Sequence, residues 1–326
     1  MSEPAFSLTA LKAAVGLVYQ QMPATAQFAW PLLREELGAD IWVKHENHTP
    51  TGAFKVRGGI TFMEWLKRAH PECRGIATAT RGNHGQSQAR AAAAAGLTAT
   101  IVVPHGNARE KNDAMRSFGA TLLEHGRDFD EAREEASRQA AQEDLFLVPP
   151  FHTALVSGVA SYALELFTAV SDIKRVYVPI GCGSGICGVI AARDALGLET
   201  EVIGVVSTEA TAAQQAFFSG KPESTASART FADGVAVRSV VPEALKIYRT
   251  GARRVLAVSD DEVANAMRMY FRCTHNVSEG AGAAPLAAAI QEQEANKGQR
   301  IAVILCGGNV DTEVFQEVLE GRTPQA

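Results

Sequence analysis

No part of this sequence reaches the run of about 18 apolar residues that a helix needs to span a bilayer, which sets aside a helical membrane protein. Basic clusters are missing too. The net charge is −5 and the pI is near 5.9, so nucleic acid is not an expected partner. The opening segment, MSEPAFSLTALKAAVG, has no basic stretch followed by an uninterrupted apolar core, and no export signal is expected. Cysteine is scarce. Cys73, Cys182, Cys187, Cys273 and Cys306 make an odd set of five with no CxxC spacing, which argues against a disulfide framework and fits free thiols in a reducing cytoplasm. No internal repeat or low-complexity tract stands out.

What is present suits a soluble α/β enzyme. A chain of 326 residues with 46% hydrophobic and 21% charged residues is long enough for two domains. From about residue 75 the pattern runs GIATAT, an alanine-rich helix, TATIVVP, a polar helix, ATLLEHG, a further helix and LFLVPP. A second series starts near 174 with RVYVPI and continues through EVIGVVS, RVLAVSD and IAVILCGG, again separated by helical patterns. Strands that are continuous apolar runs, alternating with helices, indicate parallel sheets covered on both faces. The expected fold class is therefore α/β, with two Rossmann-like domains and parallel-rich twisted sheets. The polar, turn-rich stretch 219–245 reads as loop.

Four segments carry chemistry. In KHENHTPTGAFKVRGG (44–59), a strand leads through a turn to Phe54 and Lys55 at the start of a helix. A helix N-terminus favours a neutral amine, the form that Schiff-base chemistry needs. The plain alternative is a surface lysine beside a core phenylalanine. In TATRGNHGQ (78–86), a strand end is followed by a helix start, so backbone N–H groups point at any anion there. Capping of that helix by Asn83 and His84 is the simpler alternative. In VYVPIGCGSGICG (176–188), the glycines let backbone N–H groups approach a phosphate closely. Gly183, Gly185 and Gly188 also match GxGxxG, with Glu209 near the place of a ribose-binding acid, so a nicotinamide oxidoreductase stays open on this segment alone. In AVILCGGNVD (302–311), a buried strand ends at Cys306 before two glycines. By itself that is an ordinary strand-end turn.

Together these segments resemble the serine/threonine dehydratase family of fold-type II pyridoxal-phosphate (PLP) enzymes, which includes tryptophan synthase β. TGAFKVRG is similar to the family's TGSFKxRG, RGNHGQ to its SGNHGQ, and GCGSG stands where the family has a tetraglycine loop. FADG (231–234), SEGAGA (278–283) and CGGNVD (306–311) complete six matches in one order along nearly the whole chain. The resemblance implies a large PLP-binding domain of residues 1–72 and 153–326 with a small α/β domain of 73–152. It implies a homodimer as well. A nicotinamide enzyme or a non-catalytic binding protein accounts for far fewer of these segments.

The resemblance also assigns roles. Lys55 joins PLP as a Schiff base and, once displaced by the substrate amine, takes the Cα proton as general base. Phe54 packs on the pyridine ring and Asn83 bonds its 3′ oxygen. Gly181, Cys182, Gly183, Ser184 and Gly185 hold the phosphate. Thr80, Gly82, Asn83 and His84 bind the substrate carboxylate, largely through backbone N–H groups. Cys306 faces the ring nitrogen. A thiol is a weak acid and weak acceptor, so it does not keep that nitrogen protonated, and prompt β-elimination is favoured. The expected reaction is dehydration and deamination of a β-hydroxy amino acid such as threonine or serine to a 2-keto acid and ammonia. Serine racemase and dehydratases of phenylserine or hydroxyaspartate are the alternatives within the family.

Two departures bear on this reading. Arg81 stands where relatives carry serine or alanine. Arginine stays protonated and makes a poor base, so little racemisation is expected; contact with a carboxylate or a reshaped pocket is the other role open to it. Relatives also bind magnesium or calcium through a glutamate, a carbonyl and an aspartate. The series here is Glu209, Ala213 and Gln215, one negative charge short, so cation binding is expected to be weak or absent. The chain ends soon after CGGNVD, leaving no room for a regulatory domain, and isoleucine feedback is not expected.

Overall fold

A computed structural model describes residues 6–326. Its strands are β1 (Gln27–Ala29), β2 (Asp40–His45), β3 (Gly75–Ala79), β4 (Thr98–Val103), β5 (Thr121–Glu124), β6 (Phe146–Leu147), β7 (Arg175–Pro179), β8 (Glu201–Ser207), β9 (Arg254–Val258) and β10 (Arg300–Leu305). They form two sheets, ordered β1-β2-β10-β7-β8-β9 and β5-β4-β3-β6. Only β1 runs antiparallel to its neighbour. The α/β class with parallel-rich sheets is thus what the chain adopts.

The order along the chain is not two sheets in succession. Strand β2 pairs in parallel with β10, Ile41 beside Ile301, although the two lie at opposite ends of the sequence. The four strands of the smaller sheet fall between β2 and β7. Strand β3 is buried along its whole length and β10 beyond its first residue, as helices on both faces require. The main core surrounds the larger sheet, with Val176, Val178, Val205 and Val303 inside.

The stretch 219–245, expected above as loop, holds a short 3-10 turn at Asp233–Val235 and an isolated bridge between Ser224 and Ser239. It also runs into a helix, Pro242–Gly251. Proline at a first helical position loses no hydrogen bond, because that N–H has no intrahelical partner. Helix Thr153–Ala169 was not foreseen either. It packs against helix Lys55–Ala69 and helix Ser184–Ala195, and it is buried on most of its circumference. Without an amphipathic period it sends little signal in sequence.

Candidate active site

Lys55 is the first residue of helix Lys55–Ala69. The residues before it pair with the segment after β10. Phe54 N–H donates to the carbonyl of Cys306 (2.9 Å), Gly308 N–H donates to Gly52 (2.9 Å), and Ala53 bridges Gly307. The Lys55 carbonyl accepts from the Ser87 hydroxyl (2.6 Å) on helix Asn83–Ala94. A methyl group built on Gly185 would stand 3.6 Å from Cζ of Phe54, so the ring lies against the glycine turn. Three distant motifs therefore meet at Lys55.

The glycine turn ends at Gly183, whose φ of 95° is a conformation that glycine adopts without strain. Helix Ser184–Ala195 begins there with no side chain capping it. Its first N–H groups are free to meet an anion, and the helix dipole favours one. The Lys55 ammonium sits about 4.9 Å from the centre of the Phe54 ring. Burial lowers the pKa of His84 and raises those of Cys182, Glu279 and Cys306; the charge of Lys55 adds to the first shift and opposes the other three. Burial outweighs that charge at Cys306 and raises its thiol well above the ordinary range. At His84, burial is the larger cause and brings the imidazole down to about 3; its Nε2 is buried and has no partner among the described residues.

Beneath Lys55, Arg57 is fully buried. Its guanidinium donates to both oxygens of Glu46 (2.7 and 3.0 Å) and both of Glu165 (2.7 and 3.0 Å). Lys44 adds a bond to Glu165 at 2.6 Å. Two cations face two carboxylates, and the fork geometry of Arg57 fixes the first turn of the lysine helix.

The 80–84 loop is held by hydrogen bonds of its own. Thr80 N–H is spent on the Val102 carbonyl (3.1 Å), and the Thr80 hydroxyl accepts from Gly82 N–H (2.9 Å) and Gly85 N–H (3.3 Å). Thr80 and Gly82 thus organise the loop itself. The N–H groups of Asn83 and His84 keep no acceptor among the described residues. Arg81 is half exposed and lies 3.7 Å from Asp233, which also holds Lys111 at 2.6 Å. The Asn83 amide nitrogen does not face open space: it donates to both oxygens of Glu279, at 2.7 and 2.9 Å.

Reading the sequence missed four residues of this constellation. Asp233, Glu279 and Asn309 lay inside quoted motifs without a role, and Lys111 lay in a helix that read only as polar. Glu209 and Gln215 are exposed, and the Gln215 amide donates to the Thr211 hydroxyl (2.8 Å). Among the described residues, no three metal-binding side chains cluster.

Residues 21–307 match the family model described as pyridoxal-phosphate-dependent enzyme. The chain belongs to this family. Within it, relatives of this chain are named L-threonine dehydratase and L-threonine ammonia-lyase. The biosynthetic L-threonine dehydratase IlvA of Haemophilus influenzae is 32% identical over 93% of this chain and 60% of its own length. The L-threonine ammonia-lyase of Thermotoga maritima is 32% identical over 88% of this chain and 72% of its own. The chain thus spans about 60% of the length of the first of these relatives. A threonine deaminase structure from Solanum lycopersicum superposes with a TM-score of 0.89 at 27% identity, covering 96% of this chain and 92% of that one. The nicotinamide reading of the glycine turn falls with this assignment.

The residues of this PLP-family site suit the cofactor. An uncapped helix start behind a glycine turn offers N–H groups to a phosphate, and Lys55 offers an amine to an aldehyde. The Phe54 ring lies between these two features.

Proposed function

We propose that this chain is a PLP-dependent ammonia-lyase that removes water from a β-hydroxy amino acid such as threonine or serine, leaving a 2-keto acid and ammonia. The observation that carries the proposal is the meeting of Lys55, the glycine turn and Cys306 around one space, supported by relatives named L-threonine dehydratase and L-threonine ammonia-lyase. When bound, PLP supplies the electron withdrawal that lets a Cα proton leave. Lys55 Nζ accepts that proton. The N–H groups of Asn83 and His84 orient the substrate carboxylate, and Phe54 holds the ring plane. Cys306, kept as a thiol by burial, places no full negative charge at the ring nitrogen.

Residues 1–72 with 153–326 form the larger domain in this proposal and 73–152 the smaller, in line with how the strands divide between the sheets. A cytoplasmic homodimer completes it. Arg81 favours a second reading in which the substrate carries an additional carboxylate, as hydroxyaspartate does, because a half-exposed cation stands on the substrate loop. A keto-acid assay across D and L isomers of serine, threonine, phenylserine and hydroxyaspartate separates the readings. Lys55→Ala should abolish keto-acid formation with every substrate that the wild type accepts. Turnover retained in that variant would refute the role of Lys55, and conversion of L-serine mainly to D-serine would refute a lyase.

A further inference from the structure

We infer that Glu279 is a positioning residue of the cofactor site, fixing the Asn83 amide from one side and the Cys306 thiol from the other. The inference deepens the reading above and rests on it.

Glu279 precedes helix Gly280–Gln291, and its backbone N–H donates to the Gly307 carbonyl at 3.1 Å. A methyl group on Gly307 would stand 2.5 Å from Oε1 of Glu279, so glycine at 307 is what gives this carboxyl its place. Both carboxyl oxygens accept from Asn83, at 2.7 and 2.9 Å. The Cys306 thiol lies 3.9 Å from Oε1, a weak contact. Among the described residues, Glu279 is the group bonded to both side chains that the family places on the edge of the cofactor ring.

The direction of the Asn83 amide follows from its neighbours. The Thr51 carbonyl can only accept, so the Asn309 amide nitrogen faces it at 2.8 Å. The same nitrogen donates to Oδ1 of Asn83 at 2.8 Å. Asn83 must then turn its own nitrogen toward Glu279. This chain of bonds crosses from the residues after β10 to the helix after β3, so it also registers one sheet's site residues against the other's.

A carboxyl in this position is costly. Glu279 is buried and, among the described residues, has no cation in ion-pair contact; Lys111 is ion-paired to Asp233 instead. Desolvation raises its pKa, opposed by the more distant Lys111, by the Asn83 hydrogen bonds and by Lys55, while Asp233 adds to the rise. A buried acid without a contacting cation weakens a fold, and such groups concentrate where they serve a site.

The test compares PLP-loaded wild type, Glu279→Gln and Glu279→Asp by visible absorbance against pH, thermal unfolding and steady-state kinetics on the best substrate of the panel above. Glutamine keeps the size but turns one acceptor into a donor, so Asn83 or Cys306 then faces a donor. In Glu279→Gln, the spectral titration should move by about one pH unit or more with the unfolding temperature little changed. Its kcat should fall about tenfold with KM nearly constant. Glu279→Asp should restore part of the spectral titration; a purely structural role would shift unfolding in both variants and leave the spectra alone. If Glu279→Gln fails to fold, the Glu279→Asp titration decides. A coloured wild type whose titration both folded variants reproduce overturns the role of Glu279 alone. A colourless wild type overturns the proposed function and this role together.

Discussion

Phe54 and Cys306 are joined through their main chains, the N–H of one donating to the carbonyl of the other at 2.9 Å. This bond is the structural reason that a lysine near the start of the sequence and a cysteine near its end face one space. Because backbone carries it, the side chain at 306 can change without moving Lys55. Cys306→Ser should therefore keep the PLP colour and the fold, as measured by absorbance and circular dichroism. Loss of colour in a folded Cys306→Ser protein would contradict this.

Thiol chemistry provides a second check. Desolvation raises Cys306, Cys187 and Cys182 above the ordinary thiol range; Cys182 keeps partial exposure, as does Cys73. The thiolate is the reactive form. Alkylation of the native protein near pH 8, read by peptide mass spectrometry, should label Cys73 first and Cys306 only after unfolding. Rapid native labelling of Cys306 would contradict the burial that its role depends on.

Arg57 tests the support beneath the lysine. Removing its side chain leaves Glu46 and Glu165 buried with Lys44 as the one remaining cation of the network. Arg57→Ala should cost about 3–5 kcal/mol in urea unfolding, the usual penalty for breaking a buried ion pair from one side. Arg57→Lys should fall between, since it keeps the charge and loses the fork. A cost for Arg57→Ala below about 1 kcal/mol would show that the network does not hold the helix.

Two histidines held below the ordinary imidazole range give a pH dependence with a definite sign. Burial lowers His84 from 6.5 to about 3 and His45 from 6.5 to about 4. As pH drops below the unfolded value of about 6.5, the unfolded chain takes up protons that the folded chain refuses, so stability falls with pH. The contribution is full above that value and is lost toward the folded pKa values. Unfolding temperature should decline from pH 7 to pH 5, with a shallower decline in His84→Gln. A flat profile, or an unchanged slope in the variant, would contradict the burial of a neutral imidazole.

Much of this site could be read in the sequence because its signals are local. Lys55 opens a helix, Gly183 ends a turn, and β3, β7, β8 and β10 are continuous apolar runs, all set by short-range conformational preference. What could not be read depends on distant partners. Nothing near Lys111 announces that it meets Asp233, and nothing near Asn83 announces Glu279. Strand β1 is three residues long and half exposed, too short for a period to show. Thr80 has its substrate role from the family resemblance alone, and no local pattern shows that its hydroxyl also accepts from the N–H groups of Gly82 and Gly85.

The cation question has a simple assay. With Glu209 exposed and Gln215 bonded to Thr211, the expected outcome is that a chelator leaves both unfolding temperature and keto-acid formation unchanged. Strong activation by magnesium would show that the series binds a metal despite its missing carboxylate.

The most direct measurement is reduction of the purified yellow protein with borohydride, followed by digestion and mass spectrometry. The peptide containing Lys55 should carry the mass of a reduced phosphopyridoxyl group, and Lys55→Ala should carry none anywhere. A label on another lysine, or an unlabelled Lys55 peptide from coloured protein, would contradict the account.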